Sequence, residues 1–183
     1  MSLNPDPSLL KYSLPSRILH WVMALIILFL LGLGIYMTEF LNEASEDRMK
    51  IYNLHKSLGV SVLILVFIRI INRFKNKPPT LPESMPTWEK ILSHLAHIAL
   101  YILMIFVPLS GYLMSNSFGF PVHFFSLEMP FLIERSLALG QFFSKMHWLL
   151  AYFLLALVAL HILAVIKHRF FDRQEHDVLK RML

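Results

Sequence analysis

The chain has no cysteine. That excludes disulfides, thiolate ligation of metals, iron–sulfur clusters and the C-x-x-C-H attachment of a c-type haem. Carboxylates are few, 12 against 17 lysines and arginines, and none lies inside the four longest apolar stretches. Carriers of metal ions or protons usually place carboxylates in the membrane, so a transporter built on the histidines of this chain is disfavoured. There is no internal repeat and no low-complexity segment.

Hydrophobic residues make up 56% of the 183. They gather at 18–38, at 59–71 with flanks from 51, at 95–114 and at 148–166. Each run is near or above the roughly 20 residues that cross a hydrocarbon core. A soluble alternative would bury four all-round apolar helices in one small domain, which this length does not allow. The expected fold is all-α: residues 1–183 form one integral-membrane four-helix bundle in the lipid bilayer, with spans at about 14–38, 51–73, 90–114 and 145–168.

Lysine and arginine set the expected orientation. Lys11 and Arg17 precede the first span; Arg73, Lys75, Lys77 and Lys90 join the second to the third; Lys167, Arg169, Arg173, Lys180 and Arg181 follow the fourth. The other two loops are poorer, with Arg48, Lys50 and Lys56 on one and Arg135 and Lys145 on the other. By the positive-inside rule both termini are cytoplasmic, in a multi-pass protein of a bacterial inner membrane. The basic charge is a topology signal and does not ask for nucleic acid. The first apolar run is too long for a signal-peptide core and lacks a small-x-small site before Glu39 and Phe40, so it is expected to stay as an anchor. Pro78, Pro79, Pro82 and Pro86 make 77–86 an irregular connector. In the outer loop, 115–144, the stretch 131–143 is amphipathic enough for a short helix lying on the membrane surface.

The nine histidines carry the chemistry. His147 and His161 lie fourteen residues apart, which at about 100° per residue returns both imidazoles to one helix face, about 21 Å apart. That pattern suits two stacked haems, one towards each membrane surface. Without cysteine they must be held by histidine or methionine and are therefore of b type. Partners at matching depths follow from chain direction. Ser13 and Pro15 mark a helix start that puts His20 near the cytoplasmic face, while His55 enters the second span from outside. Depth thus proposes His55 with His147 for an outer haem and His20 with His161 for an inner one. His97 is a rival to His20.

Gly59 follows His55 by one turn, Ala151 follows His147 likewise, and Gly34 follows His20 by fourteen residues. Small side chains there either let a flat macrocycle approach the backbone or serve helix contacts. Arg69, fourteen after His55, either pairs with an inner-haem propionate or snorkels as a positive-inside anchor. His168, seven after His161, is about 10 Å nearer the cytoplasm, where it either hydrogen-bonds a quinone head group or is solvated. His94 is interfacial, and Trp21, Trp88 and Trp148 are read as belt aromatics. His123 and His176 receive no role.

Ile18-Leu19-His20-Trp21, Leu54-His55-Lys56-Ser57-Leu58-Gly59 with Arg69 and Arg73, His94-Leu95-Ala96-His97 with Tyr101, Pro108-Leu109-Ser110-Gly111, and the ending from His161 through Lys167-His168 to Asp177-Val178-Leu179-Lys180-Arg181-Met182 together resemble the bacterial cytochrome b561 family. The resemblance runs from Tyr12 to the C-terminus. It implies two b haems on His20, His55, His147 and His161, and ubiquinone as partner. Members similar to this chain include superoxide oxidases, which pass electrons from periplasmic superoxide to ubiquinone; others are electron carriers between quinol and a partner. Under the first reading Lys56 and Lys145, flanking the outer ligands, attract the anion. Glu39, Glu43, Glu46, Asp47, Glu128 and Glu134 on the same loops weaken that steering. The alternatives are a quinol-fed carrier or the haem subunit of a larger oxidoreductase.

Overall fold

The computed structural model describes residues 11–42 and 44–183; Glu43 lies outside them. Among the described residues four helices are long and apolar enough to cross a membrane: α1 (Leu14–Glu39), α2 (Arg48–Lys75), α3 (Thr87–Ser117) and α4 (Leu137–Phe170). α1 starts where Ser13 takes the N-cap position, with proline in the first turn, a position at which the missing N–H costs nothing. Arg73 and Lys75 close α2, and Lys167, His168 and Arg169 close α4, so cations meet the negative ends of both helix dipoles. Asn72 donates to Ser16 Oγ (2.7 Å) and Lys167 to Glu89 (2.6 Å). Those contacts gather the start of α1, the end of α2, the start of α3 and the end of α4 at one end of the bundle, here the terminal end.

Met23, Ile27, Val62, Val66, Met104 and Leu154 form the buried centre. Around it Leu25, Phe29, Phe106, Phe153 and Leu160 stand exposed. Helices apolar on all sides are what a lipid environment selects. The loop after α2 is irregular up to Pro86, as its prolines require.

At the opposite end, a hairpin of β1 (Val122–Phe124) and β2 (Leu127–Met129) sits on α2. Lys56 Nζ donates to the Pro121 carbonyl (2.7 Å) and Ser57 Oγ to that of His123 (2.8 Å), while the Phe125 amide donates back to Ser57 Oγ (3.0 Å). Val122 is only 1% exposed beneath it. The separate surface helix expected over 131–143 is absent. Residues 137–143 are instead the first turns of α4, and 131–136 are not helical. The reason is local packing against α3. The Ser136 amide donates to the Ser117 carbonyl (2.9 Å), and Gly140 faces the Phe118 ring so closely that a Cβ there would meet it at 2.7 Å. The amphipathic stretch therefore buries its small face on α3 and not in lipid.

Beyond α4 the chain folds back over the terminal end. The Arg181 carbonyl accepts from the Tyr12 amide (3.0 Å), the Met182 carbonyl from Trp21 Nε1 (3.0 Å), and Arg181 donates to the Thr80 carbonyl (2.7 Å). Trp21 is thus a latch for the tail. His176, Asp177 and Arg181 are all buried. Burial alone would raise the Asp177 carboxyl, but the Arg169 guanidinium and the Lys180 amide outweigh it and hold it below its ordinary value. A carboxylate with a lowered folded value contributes stability above its unfolded value and loses it as pH falls through the folded one. Tail docking, followed by limited proteolysis in detergent, is therefore expected to hold from about pH 8 to about pH 5 and to fail only in stronger acid. Arg181→Ala, which strands the Thr80 carbonyl, should cost about 1–3 kcal/mol and expose the tail to cleavage at neutral pH with helicity unchanged.

Candidate functional site

Histidines from all four helices meet in two layers. At the hairpin end the rings of His55 on α2 and His147 on α4 lie 6.3 Å apart, centre to centre. At the terminal end His20 on α1 and His161 on α4 are also 6.3 Å apart. His97 on α3 lies 5.7 Å from His161. Two imidazoles on opposite sides of one metal ion stand about 6.2 Å apart, from two metal–nitrogen bonds of about 2 Å and about 1.1 Å from each nitrogen to its ring centre. The His55–His147 and His20–His161 pairs match that separation closely.

The hairpin-end pair faces a cavity of about 850 Å³, within the range of about 300–1,000 Å³ usual for cofactor sites. Gly34, Gly59, Gly111 and Ala151 line it, so the helix backbones are bare where a flat ligand would lie. His147 is oriented from α3: its Nδ1 donates to the Val107 carbonyl at 2.9 Å, with Ser110 Oγ 3.3 Å away. That bond leaves Nε2 as the lone-pair nitrogen, the arrangement typical of metal-ligating histidine. The Val107 carbonyl also accepts from Ser110 Oγ (2.7 Å), and Pro108 follows it inside the helix. His55 Nδ1 is buried without a partner. Paired imidazoles, bare backbone and a tied tautomer fit a haem.

The terminal-end layer differs. Arg69 donates from Nη2 towards His20 Nδ1 (3.2 Å) and from Nε to Tyr101 (3.1 Å). Arginine cannot accept, so in this arrangement His20 is the acceptor at Nδ1. His97 resembles His147 in donating Nδ1 to a carbonyl, that of Ser93 at 2.6 Å. The rings of His20 and His97 are therefore both within reach of His161.

A family model for the prokaryotic cytochrome b561 matches residues 11–183. The chain belongs to that family. This cytochrome is 30% identical to cytochrome b561 homolog 2 of Escherichia coli K12 across its whole length and 95% of the relative. It is 27% identical to a Yersinia pestis protein named probable superoxide oxidase CybB, over 87% of this chain and 89% of that one. With cytochrome b561 homolog 1 of E. coli K12 identity is 22%, over 94% and 97%. The expected family and the expected membrane four-helix bundle both stand. Family membership makes the chain a haem b electron-transfer protein, and with its four spanning helices a multi-pass protein of the inner membrane.

The cations singled out in the sequence occupy different settings. Lys56 is half-buried and tied to the Pro121 carbonyl; Lys145 is exposed. Arg48 stacks over Tyr52 at 5.6 Å, and both line the cavity with Glu46. His168 donates Nδ1 to Asp172 (3.0 Å), near Glu89. Glu89, His168 and Asp172 are ligand-type residues in one cluster, yet Lys167 Nζ stands 2.6 Å and 3.5 Å from the two carboxylates, where a cation would be held.

Three contributors escaped sequence reasoning. Gly111 leaves room for His147, since a Cβ there would lie 2.9 Å from the ring; the signal was Pro108-Leu109-Ser110-Gly111 within a span. Glu89 belongs to the first turn of α3, not to the preceding loop. His176 is buried beside Asp172, and the fourfold spacing of 168, 172 and 176 was its signal. Because a Cβ at position 111 would meet the His147 ring that the Val107 carbonyl holds in place, Gly111→Ala should cost about 1–3 kcal/mol by overpacking. Haem binding should weaken, read from the absorbance of the purified variant per mole of protein.

Proposed function

We propose that this cytochrome conducts electrons from superoxide at the periplasmic, hairpin end to ubiquinone at the cytoplasmic, terminal end, through two b haems. The observation that carries it is the pair of equal imidazole separations at the two ends of the bundle, both anchored on α4. His55 with His147 would hold one haem and His20 with His161 the other. Bound haem supplies reversible one-electron oxidation and reduction, which none of these side chains offers. The lysine and arginine asymmetry supports the orientation, and the name of the Yersinia pestis relative supports superoxide as donor.

The chain's own groups do the rest. Gly34, Gly59 and Ala151 admit the macrocycle, and the Val107 carbonyl fixes His147. Arg69, now on His20 and Tyr101, supplies a bidentate donor for a propionate at the terminal end, which would release His20 Nδ1. Lys56, Lys145 and Arg48 place local cations at the hairpin end, among the acids Glu39, Glu46, Asp47, Glu128 and Glu134. His168, on α4 past His161, offers Nε2 to a quinone oxygen. The overall balance is two superoxide anions, one quinone and two protons giving two dioxygen molecules and one quinol.

Superoxide should convert the oxidised spectrum of the purified protein to the reduced one, and added ubiquinone should reverse it. The first step should slow as salt rises and in a Lys56→Gln, Lys145→Glu double variant. His168→Ala should leave that step unchanged and slow the quinone step about tenfold or more. If superoxide leaves the oxidised spectrum unchanged while a quinol reduces it, the chain is a quinol-fed electron carrier and the oxidase assignment is wrong.

A further inference from the structure

Reducing a quinone to quinol takes two protons as well as two electrons, and the protons must enter from the aqueous side at which the quinone is held. The tail of this chain completes a half-buried polar chain at that end. Glu89, on the first turn of α3, has a side chain only 10% exposed; Lys167 Nζ satisfies its Oε1 at 2.6 Å, while Oε2 has no partner. That bare oxygen lies 4.0 Å from Nε2 of His168. On its other side His168 donates Nδ1 to Asp172 Oδ2 (3.0 Å). Asp172 Oδ1 accepts from the Arg173 amide (2.9 Å) and stands 3.1 Å from Nδ1 of His176, whose Nε2 lies 3.0 Å from Ser84 Oγ.

We propose that Glu89 and His168 carry the protons that accompany electrons to the quinone, and that Asp172, held by the Arg173 amide and flanked by His176, is the positioning residue that keeps His168 ready to do so. This rests on the cytoplasmic quinone reading above.

The charges around His168 fit the role. Glu89 and Asp172 face it from α3 and from the tail, Lys167 lies between the two carboxylates, and Glu175 reaches His176 Nε2 at 3.7 Å while pairing with Arg173 at 3.8 Å. Asp172 is held well below the ordinary carboxylate range, by the Arg173 amide foremost and by the two imidazoles, with burial opposing. It therefore stays ionised, which assigns the Nδ1 proton of His168 to Asp172 and leaves Nε2 to gain and lose the second proton facing Glu89. In each transfer the His168 Nε2–H bond breaks as a quinone O–H bond forms. The lone pair left on Nε2 then takes the proton of Glu89 Oε2, and water on the Lys167 side, where that side chain is 48% exposed, reloads Glu89. The electrons are those delivered through the protein by superoxide, so no further reductant is needed.

Stopped-flow reoxidation of the superoxide-reduced, haem-loaded protein by a soluble ubiquinone separates the steps. Glu89→Gln is expected to keep its haem content and its rate of reduction by superoxide, and to be reoxidised about tenfold more slowly or worse. It should gain rate from added formate or acetate, which the wild type should not. Asp172→Asn, outside the spans, should slow reoxidation likewise, with a solvent deuterium effect larger than that of the wild type. Glu89→Asp should restore part of the rate. Normal reoxidation and no weak-acid response in both Glu89→Gln and Asp172→Asn, while His168→Ala is slow, would overturn the proton role and leave the quinone site standing. A wild type that quinone does not reoxidise would instead remove the quinone reading, and this proposal with it.

Discussion

An imidazole that holds a metal at one nitrogen is oriented by what its other nitrogen touches, and the hairpin end of this bundle depends on how that contact is made for His147. The Val107 carbonyl accepts the Nδ1 proton of His147 at a point where Pro108 follows and Gly111 provides no Cβ. A backbone carbonyl has two lone pairs, and that of Val107 takes side-chain donors from Ser110 and His147, so the orientation of the His147 ring on one helix is written into the backbone of its neighbour. α4 brings a second histidine fourteen residues further on, and the positions of His20, His55 and His97 acquire meaning only relative to these two depths.

The two ends are closed by different devices. The hairpin end is capped by a two-stranded element held by Lys56 and Ser57, which places the residue next to His55 under the lid and makes that lysine structural as well as cationic. The terminal end is closed by the C-terminal tail, whose Arg181 and Met182 join the connector after α2 to the start of α1. That closure buries His176 beside Asp172, which accepts from His168, and so joins His168 to a polar chain with Glu89.

The four helices were legible because lipid exposure demands apolar residues on every face, and the histidine layers were legible because helical periodicity and chain direction fix depth. Long-range polar contacts were not. Trp21 and Met182 are 161 positions apart, and Ser57 reaches His123 and Phe125 across 66 and 68; no periodicity reports such pairings. The stretch 131–143 looked like a surface helix because amphipathicity says that a face is buried without saying against what, and Phe118 over Gly140 supplied the partner. The same limit applies to His20 and His97, which share a depth and differ in their separation from His161 and in what each Nδ1 touches.

Haem content per chain tests the two-layer account most directly. Pyridine haemochrome assay against protein concentration should return two b haems for the wild type and one each for His147→Ala and His161→Ala, with the lost spectral component differing between the two variants. One haem in the fully loaded wild type, or loss of the same component from both variants, would contradict it.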